Sequence, residues 1–127
     1  MENEIKWDEK GLVPVVAQDY QTKDVLMVAY MDRQALRQTL ETGKAHYYSR
    51  SRKKIWFKGE ESGHTQDVKG IYVDCDNDTI LIMVDQKVAA CHTGFRSCFY
   101  RIWDEGWKVI GEKIFDAKKV YGDSKKS

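Results

Sequence analysis

The spacing of apolar positions predicts a mostly β chain. Residues 13–18 and 25–31 are β-branched-rich runs separated by the polar stretch 19–24, and they predict a strand pair. Pro14 lacks a ladder donor and predicts an edge position for the first strand. Asp32 suits a helix N-cap, Ala35, Leu36 and Leu40 follow at helical spacing, and Gly43 suits the stop. Residues 45–49 predict a short strand, 49–54 and 59–63 polar loops, and 65–76 an alternating strand. Residues 79–84 are almost continuously apolar, which predicts a strand buried on both faces. A last hairpin is expected from 98–103 and 107–110 across Asp104-Glu105-Gly106. The sum is an α+β fold, mostly antiparallel β with one or two short helices.

Length and composition narrow the class. The 127 residues suit one domain, 1–127, with residues from about 121 to 127 as a polar, flexible tail. A net charge of +1 argues against a nucleic-acid coat, so any electrostatic partner must be local. The charged N-terminus has no signal-type apolar segment, and no apolar run suits a membrane span. Three cysteines are an odd number without a secretory signal. The expectation is a reducing, cytoplasmic setting in which they are core thiols, reactive groups or metal ligands.

Two groups of residues offer metal chemistry. In Asp74-Cys75-Asp76-Asn77-Asp78, strand alternation would place Asp74 and Asp76 on one face and Cys75 on the other, with Asp78 swinging back from the turn. Three converging carboxylates suit a hard cation such as magnesium, or simply a solvated turn. An EF-hand is excluded, because its sixth position is Thr79 rather than Gly and an apolar strand follows. Cys75, Cys91 and Cys98 match the three protein ligands of a catalytic zinc, although no C-x-x-C occurs and buried thiols are common. Cys91 lies in the small-residue loop Ala89-Ala90-Cys91-His92-Thr93-Gly94. There His92 could be a ligand, a general base or a polar loop residue.

A third group suits anions. Ser49, Arg50, Ser51 and Arg52 lie between aromatic residues, and Lys58 and Ser62 follow beside Gly59 and Gly63. Forked guanidiniums, hydroxyls and glycine-freed amides suit a phosphorylated ligand. Tyr47, Tyr48 and Trp56 could stack on a base or belong to the core.

Taken in order, Ala29-Tyr30-Met31, the run 48–52, Trp56 with 58–60 and 62–63, the run 74–78, 90–94 and Ser97-Cys98-Phe99 closely resemble the phosphoribosyl-AMP cyclohydrolase family. The resemblance covers about residues 7–100. It implies magnesium at Asp74, Asp76 and Asp78, and zinc at Cys75, Cys91 and Cys98. It also implies an intertwined homodimer whose zinc sites combine cysteines of both chains. The activity implied is zinc-dependent hydrolytic opening of the N1–C6 bond of 1-(5-phosphoribosyl)-AMP, the third step of histidine biosynthesis. His92 is the candidate proton-transfer residue and His64 the second choice; Arg50, Arg52 and Lys58 are expected to grip phosphates. Lys87-Val88 departs from the family pattern, which usually has a small or glycine-containing step there, and Phe57 occupies a variable position. The pyrophosphohydrolase domain fused to some relatives is not expected.

Other functions remain to be weighed. A zinc nucleoside deaminase also attacks C6 of adenine, but its H-x-E and P-C-x-x-C pattern is absent. A nucleic-acid module would not need three thiols and three carboxylates, and its binding would fall steeply with salt. A structural zinc domain would unfold on chelation.

Overall fold

The computed structural model describes residues 2–117. The expected flexible tail, 121–127, lies outside the described residues. After a short 3-10 turn at Glu2–Glu4 come β1 (Val13–Asp19), β2 (Val25–Met31), α1 (Arg33–Thr42), β3 (His46–Ser49), β4 (Lys54–Phe57), β5 (Gln66–Val73), β6 (Ile80–Gln86), β7 (Arg101–Trp103) and β8 (Trp107–Val109). The main sheet runs β2-β1-β6-β5, while β3-β4 and β7-β8 are separate hairpins. All pairings are antiparallel except β1 with β6. The architecture is the α+β arrangement that the sequence predicts.

The alternating burial of β1 puts Val13, Val15 and Ala17 inward, against Leu26, Met31, Leu36, Ile80, Ile82 and Val84. Central β6 is buried or half-buried along its whole length, as its apolar run predicts. The caps of α1 also agree with expectation. The Asp32 carboxylate accepts from the Ala35 N–H at 2.8 Å, and Gly43 closes the helix at φ 74°.

Four expectations need correction. Strand β1 is central rather than an edge; Pro14 is tolerated because the ladder to β6 begins only at Val15. Leu40 is exposed and Thr39 is buried instead, its hydroxyl donating to the Ala35 carbonyl at 2.8 Å and accepting from the His46 N–H at 2.9 Å. The basic loop is shorter than 49–54, since Lys54 already pairs with Ser49. The last hairpin starts at Arg101 because residues 97 and 98 are held on the edge of β2. Ser97 Oγ donates to the Val25 carbonyl at 2.6 Å and Cys98 N–H to the Leu26 carbonyl at 2.7 Å.

Candidate metal and nucleotide site

The carboxylates come together in a turn, not on a strand face. Strand β5 ends at Val73, and the chain then reverses with Asn77 N–H donating to the Asp74 carbonyl at 3.0 Å. Asn77 takes φ 62°, a left-handed conformation that Asn tolerates well. Asp78 N–H donates to the Asp74 carboxylate at 3.1 Å. Ligand oxygens of Asp74, Asp76 and Asp78 thereby lie within 4.8 Å of one another, all exposed. Hydrogen bonds from backbone groups hold the Asp74 carboxyl below its usual range, against the effect of desolvation. An all-oxygen, triply anionic donor set of this kind fits a hard divalent cation.

The thiols are assembled differently. After β6 the chain folds into a tight loop, in which Ala90 N–H donates to the Arg96 carbonyl at 2.7 Å and Cys91 N–H to the Phe95 carbonyl at 3.2 Å. Gly94 closes the turn at φ 106°, and a Cβ there would meet the Phe115 carbonyl oxygen at 2.4 Å. Cys91 and Cys98 are brought together as neighbours, and Cys91 Sγ also lies 2.8 Å from the Thr93 hydroxyl. Contact with Cys98, hydrogen bonds from Thr93 and the charge of His92 pull the Cys91 thiol down to about 5, although burial opposes them. Cys98 is pushed up, by its interaction with Cys91 and by desolvation. Two neighbouring thiols in one loop, one of them with a depressed pKa, offer soft donors that suit a thiophilic metal.

Cys75 does not join this pair within one chain. It follows β5, whereas Cys91 follows the far end of β6, and seven residues of strand span about 20 Å. Among the described residues, the aspartates are the group of three that could hold a metal within a single chain.

Two basic residues lie beside the thiol loop. Lys58 is buried, and its ammonium donates to the Ala90 carbonyl at 2.5 Å. His64 is also buried and stacks edge-on against Phe115, with Nδ1 unpartnered. Burial, then the charge of Lys58, depresses its pKa below the usual imidazole value. Gly59 makes this closeness possible: at φ 91°, it packs so tightly that a Cβ would sit 2.7 Å from the His64 carbonyl carbon.

The phosphate candidates separate. Ser49, Arg50, Ser51 and Arg52 gather at the β3–β4 turn, where Ser49 Oγ accepts from Arg52 N–H at 3.2 Å and the Arg50 guanidinium lies 4.0 Å over the Tyr30 ring. Lys58 and Ser62 follow the other end of the hairpin, and Ser62 Oγ accepts from His64 N–H at 3.1 Å. Lys58 is therefore set apart from the exposed hydroxyls and guanidiniums of that turn. Tyr47 is core, fully buried with its hydroxyl donating to Gln66 Oε1 at 2.5 Å.

That bond opens an amide chain that the sequence reading missed. Gln66 Nε2 donates to Gln86 Oε1 at 2.7 Å, and Gln86 Nε2 donates to the carbonyls of Lys87 at 3.0 Å and His64 at 3.2 Å. The chain fastens the start of the thiol loop to the core. The signal was present: Gln86 continues the inward alternation Ile80, Ile82, Val84, and a polar residue on such a face needs buried partners.

Comparison with known proteins decides the family. A model of the family described as phosphoribosyl-AMP cyclohydrolase matches residues 27–100. The chain belongs to the phosphoribosyl-AMP cyclohydrolase family. It is therefore a hydrolase, and Cys75, Cys91, Cys98 and the three aspartates all lie within the matched region. A phosphoribosyl-AMP cyclohydrolase of Methanospirillum hungatei is 62% identical over 120 residues, covering 94% of this chain and 90% of that protein. One of Methanoregula boonei is 60% identical over 118 residues, covering 93% and 94%. The histidine biosynthesis bifunctional protein HisIE of Thermoanaerobacter pseudethanolicus is 56% identical over 125 residues, covering 95% of this chain but 58% of that protein. No helix among the described residues is long and apolar enough to cross a membrane.

Proposed function

We propose that the chain hydrolyses the N1–C6 bond of the adenine ring in 1-(5-phosphoribosyl)-AMP, the third step of histidine biosynthesis, in the cytoplasm. The working unit is a homodimer. Cys91 and Cys98 of one chain and Cys75 of the partner subunit hold zinc, while Asp74, Asp76 and Asp78 hold magnesium. One observation carries the reading: two thiols are already neighbours, while the third lies a strand length away, the arrangement expected of a donor set split between two chains. The exposed apolar strip of Ile102, Trp103, Trp107, Val109 and Ile110, each at least half accessible, offers a surface for a second copy to cover.

When bound, zinc supplies the Lewis acidity that brings the pKa of a water from about 15.7 toward 7. The residues of the chain do the rest. Arg50, Arg52, Ser49 and Ser51 grip a phosphate at the exposed β3–β4 turn. His92, next to Cys91, takes a proton from the attacking water and returns one to N1. The water oxygen bonds to C6, the N1–C6 bond breaks, and C6 becomes the carbonyl carbon of a carboxamide. His64 is second choice for the proton transfer, because its buried ring has one unpartnered nitrogen.

Ultraviolet spectroscopy of phosphoribosyl-AMP ring opening, paired with elemental analysis, tests the reading. Turnover should stop with a transition-metal chelator and return with zinc. Full turnover by protein free of transition metals would overturn the mechanism, and no turnover by zinc-loaded protein would overturn the substrate.

A further inference from the structure

Lys58 is a buried ammonium with an unusual set of neighbours. Only 4% of its surface is exposed, and among the described residues no carboxylate lies within ion-pair distance. Its contacts are the Ala90 carbonyl at 2.5 Å and, more loosely, the Trp56 ring at 5.7 Å. Burying a strongly hydrated cation with so little compensation costs stability. Local structure nevertheless enforces it. Lys58 N–H donates to the Ala45 carbonyl at 3.1 Å at the end of β4, and the tight Gly59 turn follows at once. The ammonium is thus fixed against the peptide that leads into Cys91; burial holds its pKa below the usual lysine value, and the neighbouring Cys98 and Cys91 offset that only in part.

We propose that Lys58 is a positioning residue of the thiol site, a built-in counter-charge that clamps the Ala90 carbonyl and offsets the negative charge of the sulfurs when they hold a metal. The inference rests on the zinc reading above. Three thiolates around a divalent ion leave one surplus negative charge. In a desolvated loop that surplus opposes metal binding unless a cation faces it. Lys58 therefore strengthens the sulfurs' hold on the metal, and it does not grip phosphate.

The test uses the full chain with Lys58→Met, which keeps the length and removes the charge, and Lys58→Gln, which keeps a donor for Ala90. Zinc affinity is measured by competition with a chromophoric chelator. The thiolate-to-cobalt absorption is recorded on the cobalt-loaded protein, and thermal unfolding on the metal-free protein. Both variants should bind zinc about tenfold or more weakly, in the range for residues that support metal ligands. Their metal-free unfolding temperatures should be unchanged or higher, because a buried charge is gone. A residue needed only for structure would instead lower the unfolding temperature. Wild-type zinc affinity in Lys58→Gln would overturn the counter-charge. Wild-type protein without thiolate-to-cobalt absorption would overturn the zinc reading itself, which is a distinguishable failure.

Discussion

At one end of β6, Asp74, Asp76 and Asp78 converge within a single turn closed by its own backbone hydrogen bonds. At the other end, Cys91 and Cys98 meet only because a loop is fastened from several directions. Arg96 donates to the Val88 carbonyl and pairs with Asp19 at the end of β1, Gln86 holds the peptides of the loop, and Cys98 docks on β2. The carboxylate turn is local, exposed and contained in one chain. The thiol pair is long-range and partly buried, and the proposed zinc site needs one sulfur more. A hard cation that keeps waters needs little shelter, whereas a catalytic zinc needs fixed ligands and a dry surround. The two construction styles match the two chemistries proposed for them.

The largest effect that could break this comparison is subunit complementation. Cys75→Ser and Cys91→Ser should each abolish zinc-dependent turnover. If the site is split between chains, mixing and reassociating them should restore about a quarter of wild-type activity, because about half the dimers are mixed and each carries one intact site. Mixing Cys91→Ser with Cys98→Ser should restore nothing, since those sulfurs come from one chain. Activity in the second mixture, or none in the first, would end the split-site reading.

A smaller effect separates the carboxylate turn from the thiols. Asp76→Asn should weaken magnesium dependence by about 10- to 100-fold, a scale typical of damaged metal sites, and leave zinc content unchanged. Turnover at limiting and saturating magnesium, with zinc measured on the same samples, checks both halves. Loss of zinc together with magnesium dependence would mean that the two ends are not independent.

The same contrast explains what the sequence could tell. The carboxylate turn was legible because its ligands are contiguous, although turn geometry rather than strand alternation gathers them. The caps Asp32 and Gly43 and the β-branched runs were legible because they act locally. The burial of Lys58 was not legible, because it follows a basic run and only the fold shows it turned inward behind Gly59. Thr39 was passed over for Leu40 because apolarity was read without the hydrogen bonds that let a hydroxyl be buried. The meeting of Cys91 with Cys98 depends on docking to β2, which no local pattern encodes.

The smallest effect concerns backbone strain, which both regions carry in different degree. Asn77 in the carboxylate turn and Val88 at the entry to the thiol loop both take positive φ, 62° and 59°. Asn adopts that region with little penalty, whereas a β-branched residue is crowded there, by roughly 1–2 kcal/mol. Val88 occupies the step where the resemblance to the family leads one to expect a small or glycine-containing segment, and it is 45% exposed, so its side chain returns only part of that cost. Val88→Gly should therefore stabilise the chain. Relief of the strain exceeds the added flexibility of the unfolded glycine, roughly 0.5–1 kcal/mol, and the net gain should raise the unfolding temperature by about 2–6 °C. Asn77→Gly should shift it by no more than about 2 °C, because there is little strain to relieve. Zinc affinity should survive Val88→Gly, since Arg96 and Gln86 still grip the carbonyls on either side of the loop entry. Differential scanning calorimetry of the two variants side by side decides the matter. A fall in the unfolding temperature of Val88→Gly would show that the valine side chain, and not the clamps around it, holds the thiol loop closed.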